Sequence, residues 1–381
     1  MKFKLLINCQ PNAFSIEKIM STKLQFNTEE KIDFMVELRK KVDEYFQQNN
    51  LSKHADADMV VKSVFMMALY LGPYLLMVTG VVSSTLLILL CWVVMGIGMA
   101  GVGVDIMHDA NHGSYSKSKP INQWLSKSLY ILGGLPETWQ IQHNTIHHAY
   151  TNIDGYDADI DPAPMLRFSP HKPVRKIHKY QHLYAWFLYG LMTILWITTK
   201  DFQQLFHYSK EGYLAQEGKS FNALMTKLVI TKIMYYVVFI VIPLIVLPIP
   251  WWMTLLFFFI MHFIAGVLLS VIFQTGHILP DSAYPLPDKN GNLENNWLVH
   301  QLTVTSDYAP NSRVFTWFLG GLNYHAVHHL FPNICHVHYK KISSIVKEIT
   351  DKHDVTYRVQ PTFFKAIGNH AKMLKLNGQS Q

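Results

Sequence analysis

Three short runs of histidine carry the chemistry of this chain: His108-Asp-Ala-Asn-His112, His143-Asn-Thr-Ile-His147-His148 and His325-Ala-Val-His328-His329. On a helix, side chains three or four positions apart share a face, so each run aims its imidazoles at one spot. Imidazole is the commonest nitrogen ligand of transition metals, and eight at one place exceed what a single ion takes. The spacing therefore predicts a two-metal centre built from histidine. With twenty histidines in the chain, one such run is an ordinary accident. Three such runs in one chain are not.

His277, in Phe273-Gln-Thr-Gly-His277, is a candidate ninth ligand, and His300 a weaker one. His262 falls in the middle of an apolar stretch and reads as a hydrogen-bonded core residue, although an ionisable group at that depth is always a functional suspect. His171, His178, His182, His207, His336, His338, His353 and His370 read as surface or supporting residues. No cysteine or glutamate lies inside the runs, and all-nitrogen ligation suits iron ahead of copper or zinc. Asp109, Asn111, Asn144 and Asn323 are placed to hydrogen bond the imidazoles and fix their tautomers. Asp154, Asp157, Asp159 and Asp161 could do the same, with a solvated acidic loop as the plainer role for most of them.

Apolar stretches at 61–82, 84–104, 228–247 and 251–273 must position these runs, and each is long enough for the ~20 residues that span a bilayer's hydrocarbon. No Lys or Arg occurs between Lys62 and Lys117, nor between Lys232 and Lys289. The tips of both hairpins are thus free of positive charge while the flanks are basic. By the positive-inside rule the histidines, 105–227 and 274–381 face the cytosol, as do both termini. Leu183–Ile197 is too short and aromatic for a fifth span, and crossing there would separate the third run from the first two. It reads as an interfacial or re-entrant helix. Residues 27–48 form an amphipathic helix capped by Asn27, docked on the body or lying on the membrane. From about Val337 onward the chain reads as a soluble helical cap, making one all-α integral membrane domain over 1–381.

The 381 residues are half hydrophobic and 15% charged, with a net charge of +7. The basic residues form no run interleaved with aromatics, so nucleic acid is not an expected partner; juxtamembrane lysines facing anionic lipid explain the surplus. Cys9, Cys91 and Cys335 form neither a disulfide framework nor a Cys-x-x-Cys site. Met1–Cys9 is a poor signal peptide, which leaves the N-terminus cytosolic.

The runs resemble the three boxes of the membrane fatty acid desaturase superfamily, H-x(3,4)-H, H-x(2,3)-H-H and H/Q-x(2,3)-H-H. HDANHGSYS, HNTIHHAYTNIDGYDADIDPAP, VFQTGHILP, NWLVHQL and GGLNYHAVHHLFPNICHVHY are similar to its bacterial acyl-lipid or linoleoyl-CoA-type branch, over nearly the whole chain. The resemblance implies a non-haem di-iron centre on His108, His112, His143, His147, His148, His325, His328 and His329, with His277 as ninth ligand. It also implies that Gln274 approaches an iron through water. Many members carry glutamine at the first position of the third box, where this chain has His325, a departure that leaves the regiochemistry, front-end or other, open. No His-Pro-Gly-Gly haem motif occurs. Electrons are then expected from a separate carrier, a ferredoxin or cytochrome b5, docking on the basic face.

The chemistry fits. Removing hydrogen from an unactivated methylene is beyond side-chain acids and bases, so dioxygen activated by metal must do it. The product is a cis double bond in a fatty acyl chain, on a lipid or on CoA. The second and fourth spans, with Trp139, are expected to hold that chain; membrane-interface anchoring is the other reading of Trp139. A hydroxylase or ketolase would use the same irons. A metal transporter would need polar residues lining the spans, which are nearly free of them apart from His262.

Overall fold

The structure is a computed structural model describing residues 24–162 and 164–379; the reading of Met1–Cys9 lies outside the described residues. Helices dominate. Among the described residues the strands are two short parallel pairs, Gln25–Phe26 with Asn292–Leu293 and Asp307–Tyr308 with Val359–Gln360.

Helix α1 is Ile32–Gln48. Asn27 accepts from the Glu29 and Glu30 amides at 3.0 and 3.3 Å, so it caps a turn ahead of the helix, and α1 starts later than its sequence signal. Its buried residues, Phe34, Leu38, Val42 and Phe46, recur at four-residue intervals. They belong to one core with Ile342, Val346 and Ile349. The apolar face of α1 is therefore docked on protein rather than laid on lipid.

Among the described residues, four helices are long and apolar enough to cross a membrane: α2 Ala57–Val78, α3 Thr85–Asn111, and, further on, Phe221–Val246 and Trp251–His277. The side chains of Asp56 and Ser84 cap α2 and α3. After α3, residues 136–150 form α4, Gln181–Gly190 α5 and 192–210 α6. The later two membrane-capable helices are then α7 and α8. Buried shares of 61% for α3 and 56% for α8, against 33% for α2 and 22% for α7, make α3 and α8 the inner pair. Their backbones meet at Gly96, where a methyl group would lie 2.7 Å from the Met261 carbonyl oxygen. Small residues permit such an approach in membrane helices. Leu75, Leu86, Ile230, Ile233 and Ile245 remain exposed, an apolar surface that suits lipid.

The spans hold more charge than the sequence reading allowed. Lys62 of α2 pairs with Asp105 of α3 at 3.1 Å, and Lys232 of α7 pairs with Asp201 of α6 at 2.7 Å, all four buried. Lys62 and Lys232 fall inside the apolar stretches 61–82 and 228–247, while Asp105 and Asp201 lie just past 84–104 and 183–197. Pairing is what makes such burial tolerable.

Residues 183–197 lie on α8. Thr193 donates to the His262 carbonyl at 2.8 Å, and His262 stands 15 residues before the end of α8, about 22 Å along its axis. His262 also bonds Tyr235 at 2.8 Å and Thr193 at 3.1 Å, a satisfied core histidine. Later in the chain come α9 Trp297–Val304, α10 His325–Leu330, α11 Tyr339–Lys352 and α12 Phe363–Asn377, with shorter helical turns between elements left unlabelled.

Candidate metal centre

Each histidine run rides on an element that the sequence punctuates. The helix of α3 widens to π geometry over Val102–Met107, directly ahead of His108. The second run lies largely within another π stretch, Ile141–His147. Such widenings are frequent at functional sites because they re-aim side chains. The third run begins α10 after Gly320 and Gly321, whose φ values of +58° and +66° suit only glycine well. Pro332 follows and stops the helix.

The three runs converge. Ligand nitrogens of His108, His112, His143 and His328 lie within 4.8 Å of one another, as do those of His147, His277 and His329, and of His148, His328 and His329. His148 thus sits between the first two groups. His325 adjoins the second, its Nε2 2.7 Å from Nε2 of His277. All are buried except His112, which is half-buried.

The nitrogens are sorted. Outward, Nδ1 of His147 meets both carboxylate oxygens of Asp157 at 3.1 Å, and Nδ1 of His329 meets Oε1 of Gln301 at 2.9 Å. Nδ1 of His328 meets the Tyr339 hydroxyl at 3.1 Å, while those of His325 and His277 face the Leu322 and Val304 carbonyls. Inward, the buried Nε2 atoms of His108, His112, His328 and His329 have no hydrogen-bond partner. An outer partner on Nδ1 fixes the tautomer with the Nε2 lone pair free. Buried lone pairs aimed into one space without donors are costly unless a cation meets them. This donor set fits divalent transition metal.

Burial holds His143, His148, His328 and His329 well below the usual imidazole range, with neighbouring imidazoles adding to it, and His325 at about 3. They are neutral, as ligands must be. Burial would also depress His147, but the carboxylates of Asp157 and Asp159 carry it up to about 9.

The supporting residues differ from those the sequence singles out. Asn111 accepts from Gln140 at 2.9 Å through its side chain and from Asn144 at 2.9 Å through its carbonyl, so these amides tie α3 to α4. Asn323 donates to the Tyr308 carbonyl. None of the three hydrogen bonds an imidazole. Asp109 contacts His336 at 2.9 Å. Gln274 is half-buried, three residues before His277. His300 faces the Thr151 carbonyl at 2.9 Å, away from the cluster. The partners that sequence reading missed are Gln301 and Tyr339. Gln301 lies beside His300 in a quoted motif, but no spacing rule links it to His329.

Trp139 is buried, its ring 4.4 Å from His143 and 5.7 Å from His108. With Phe273, Met107, Gly103, Leu269 and Thr193 it lines an apolar cavity of about 50 Å3 between α3, α6 and α8. On the other side of His112 a polar cleft of about 480 Å3 is bordered by His54, Lys117, Lys119 and Gln140.

Apolar helices bearing a buried imidazole cluster define a helical membrane protein equipped for metal chemistry. Comparison with known proteins narrows that class. The family model for fatty acid desaturase matches residues 83–361. The chain is 33% identical over 345 residues to the sn-1 linoleoyl-lipid 6-desaturase of Arthrospira platensis, covering 90% of this chain and 92% of that one. It is 33% identical over 374 residues to the acyl-lipid (8-3)-desaturase of Physcomitrium patens, covering 96% and 76%. Against the sn-1 linoleoyl-lipid 6-desaturase of Synechocystis the identity is 29% over 364 residues, covering 95% and 100%. The chain belongs to the fatty acid desaturase family, and it is an oxidoreductase that desaturates fatty acids.

Proposed function

We propose that the enzyme inserts a cis double bond into a lipid-borne acyl chain, using dioxygen and electrons from an external carrier. The centre would hold two non-haem irons on the eight box histidines, with His277 as ninth ligand. The sorting of nitrogens carries this reading: Nδ1 of His147, His328 and His329 turns outward to a fixed partner, while Nε2 of His108, His112, His328 and His329 turns inward to no hydrogen-bond partner among the described residues. Two reduced irons, with dioxygen, supply the oxidant that an unactivated methylene requires. The rest falls to the chain's own residues. Asp157, Gln301 and Tyr339 hold His147, His329 and His328 in register. Trp139 and Phe273 wall an apolar path against His108 and His143, which supports an acyl chain lying beside the centre. Position there selects the carbon pair, and the buried walls keep water from it.

The relatives, named as linoleoyl-lipid and acyl-lipid desaturases, support a lipid-borne substrate over a CoA ester. His112 alone among the nine histidines is half-buried, and it borders the cleft carrying Lys117 and Lys119. An acidic electron carrier suits that face, with a docking rate that falls as salt rises. The charge pattern supports two hairpins with the histidines, the helical cap and both termini cytosolic. The packing of 183–197 deep along α8 supports its re-entrant form. An outside-accessible cysteine introduced near Val299 contradicts this orientation.

Expression in a host of simple lipid composition, beside a His328→Ala control, tests the reaction by gas chromatography–mass spectrometry. A new double bond made only by the intact gene is expected. Hydroxylated chains replace desaturation with hydroxylation.

A further inference from the structure

A chain of buried charged and polar groups runs from α2 to the first histidine run, and no part of it is needed to explain the ligand nitrogens themselves. Lys62 Nζ lies 3.1 Å from Asp105 Oδ1 and 2.6 Å from His336 Nε2. Through Nδ1, His336 contacts Asp109 Oδ2 at 2.9 Å, and its backbone amide donates to the same oxygen at 3.2 Å. The other oxygen of Asp109 stands 3.8 Å from Nδ1 of His108, an electrostatic contact rather than a hydrogen bond, and that nitrogen has no hydrogen-bond partner among the described residues. All five residues are buried.

Asp109, Cys335 and His336 also bring three metal-ligating atoms within 4.8 Å. A third metal does not follow. The Lys62 ammonium already occupies the cationic position against His336 Nε2, and a second cation beside it would be repelled. The arrangement instead repeats, one residue further out, the pattern seen at His147, where an acidic residue faces Nδ1.

We infer that Lys62 and His336 are positioning residues for the first histidine run, acting through Asp109 on His108. The ammonium fixes which His336 nitrogen accepts, so His336 presents Nδ1–H to Asp109. Asp109, held by that bond and by the His336 amide, keeps its free oxygen on the Nδ1 side of His108. The Nε2 of His108 is thereby left to the cluster. Asp105 anchors Lys62. The device joins α2, α3 and the segment after Pro332, so placement of the first run depends on a residue more than two hundred positions away in sequence.

This inference rests on the proposed metal centre. Its test uses the full-length protein in detergent, loaded with ferrous iron, challenged with a graded chelator, and read as metal per chain by mass spectrometry. His336→Leu removes both ring nitrogens, while His336→Asn restores a donor near the Nδ1 position. The inference expects His336→Leu to hold one iron about 10–100-fold more weakly, the range measured for outer partners of metal ligands, with the other iron unaffected. His336→Asn is expected to recover most of that loss. Lys62→Met should resemble His336→Leu. Unmodified protein that binds no metal overturns the centre itself. Wild-type retention of both irons in folded His336→Leu, or equal weakening of both with no recovery in His336→Asn, overturns the inference alone.

Discussion

Asp157 presents both carboxylate oxygens to Nδ1 of His147 at 3.1 Å, from ten residues further along the chain. The same carboxylate accepts the backbone amides of Asn152 and Asp159 at 2.9 Å, so the loop after the second run is folded around it. Neutralising it as Asp157→Asn keeps one of the two oxygens that accept these amides and removes the charge facing the imidazole. Iron affinity is expected to fall about tenfold or more, read by chelator competition; unchanged affinity would show that His147 orients itself without the charge.

The cavity beside Trp139 predicts where substrate length is felt. Gly103 lines it, and a methyl group there would meet the Leu269 side chain at 3.4 Å. Gly103→Leu should fill the path beyond the metals while leaving every histidine untouched. The expected outcome is full iron content with loss of desaturation on long acyl chains, measured by product analysis. Retained long-chain activity would place the acyl path elsewhere.

Asp307 holds the start of α10, accepting the Ala326 amide at 2.8 Å and a bond from the Tyr357 hydroxyl. Burial raises its carboxyl to about 7, against the pull of those donors. A carboxyl raised in the folded state stays protonated while the unfolded chain ionises near the ordinary aspartate value of 3.8. Its contribution is therefore full below that pH and is lost as pH rises toward about 7, by at most about 4 kcal/mol. Thermal melts should show stability falling from pH 4 to pH 7, with a flatter profile in Asp307→Asn. Identical profiles would contradict the assignment.

The docking of α1 predicts an asymmetry on one helix. Leu38 is fully buried against the α11 core, and Leu38→Ala should cost about 2–5 kcal/mol. Val36, 61% exposed, should change stability by less than about 0.5 kcal/mol when cut to alanine. Denaturation of the two variants side by side checks it.

The histidines were legible because ligand spacing is local: three and four residues along a helix put imidazoles on one face whatever surrounds them. The four apolar helices were legible for the same reason, by length and hydropathy. What pairs across the fold was not. Gln301 reaches His329, Tyr339 reaches His328 and Lys62 reaches His336 only through tertiary contacts, and no periodicity in the sequence records them. Asn111 and Asn144 sit inside the runs yet serve the joint between α3 and α4, because neighbouring positions on a helix point to different faces. Lys62 and Asp105 look like isolated polar positions in a hydropathy profile, which records neither their pairing nor their burial.

The most direct measurement is iron per chain in the purified full-length protein, by mass spectrometry, beside His328→Ala. His328 belongs to both the group with His108, His112 and His143 and the group with His148 and His329. Two tightly held irons in the unmodified protein and a marked loss in the variant are the predicted result. A folded, unmodified protein that retains no iron after reconstitution would contradict the centre on which the reaction depends.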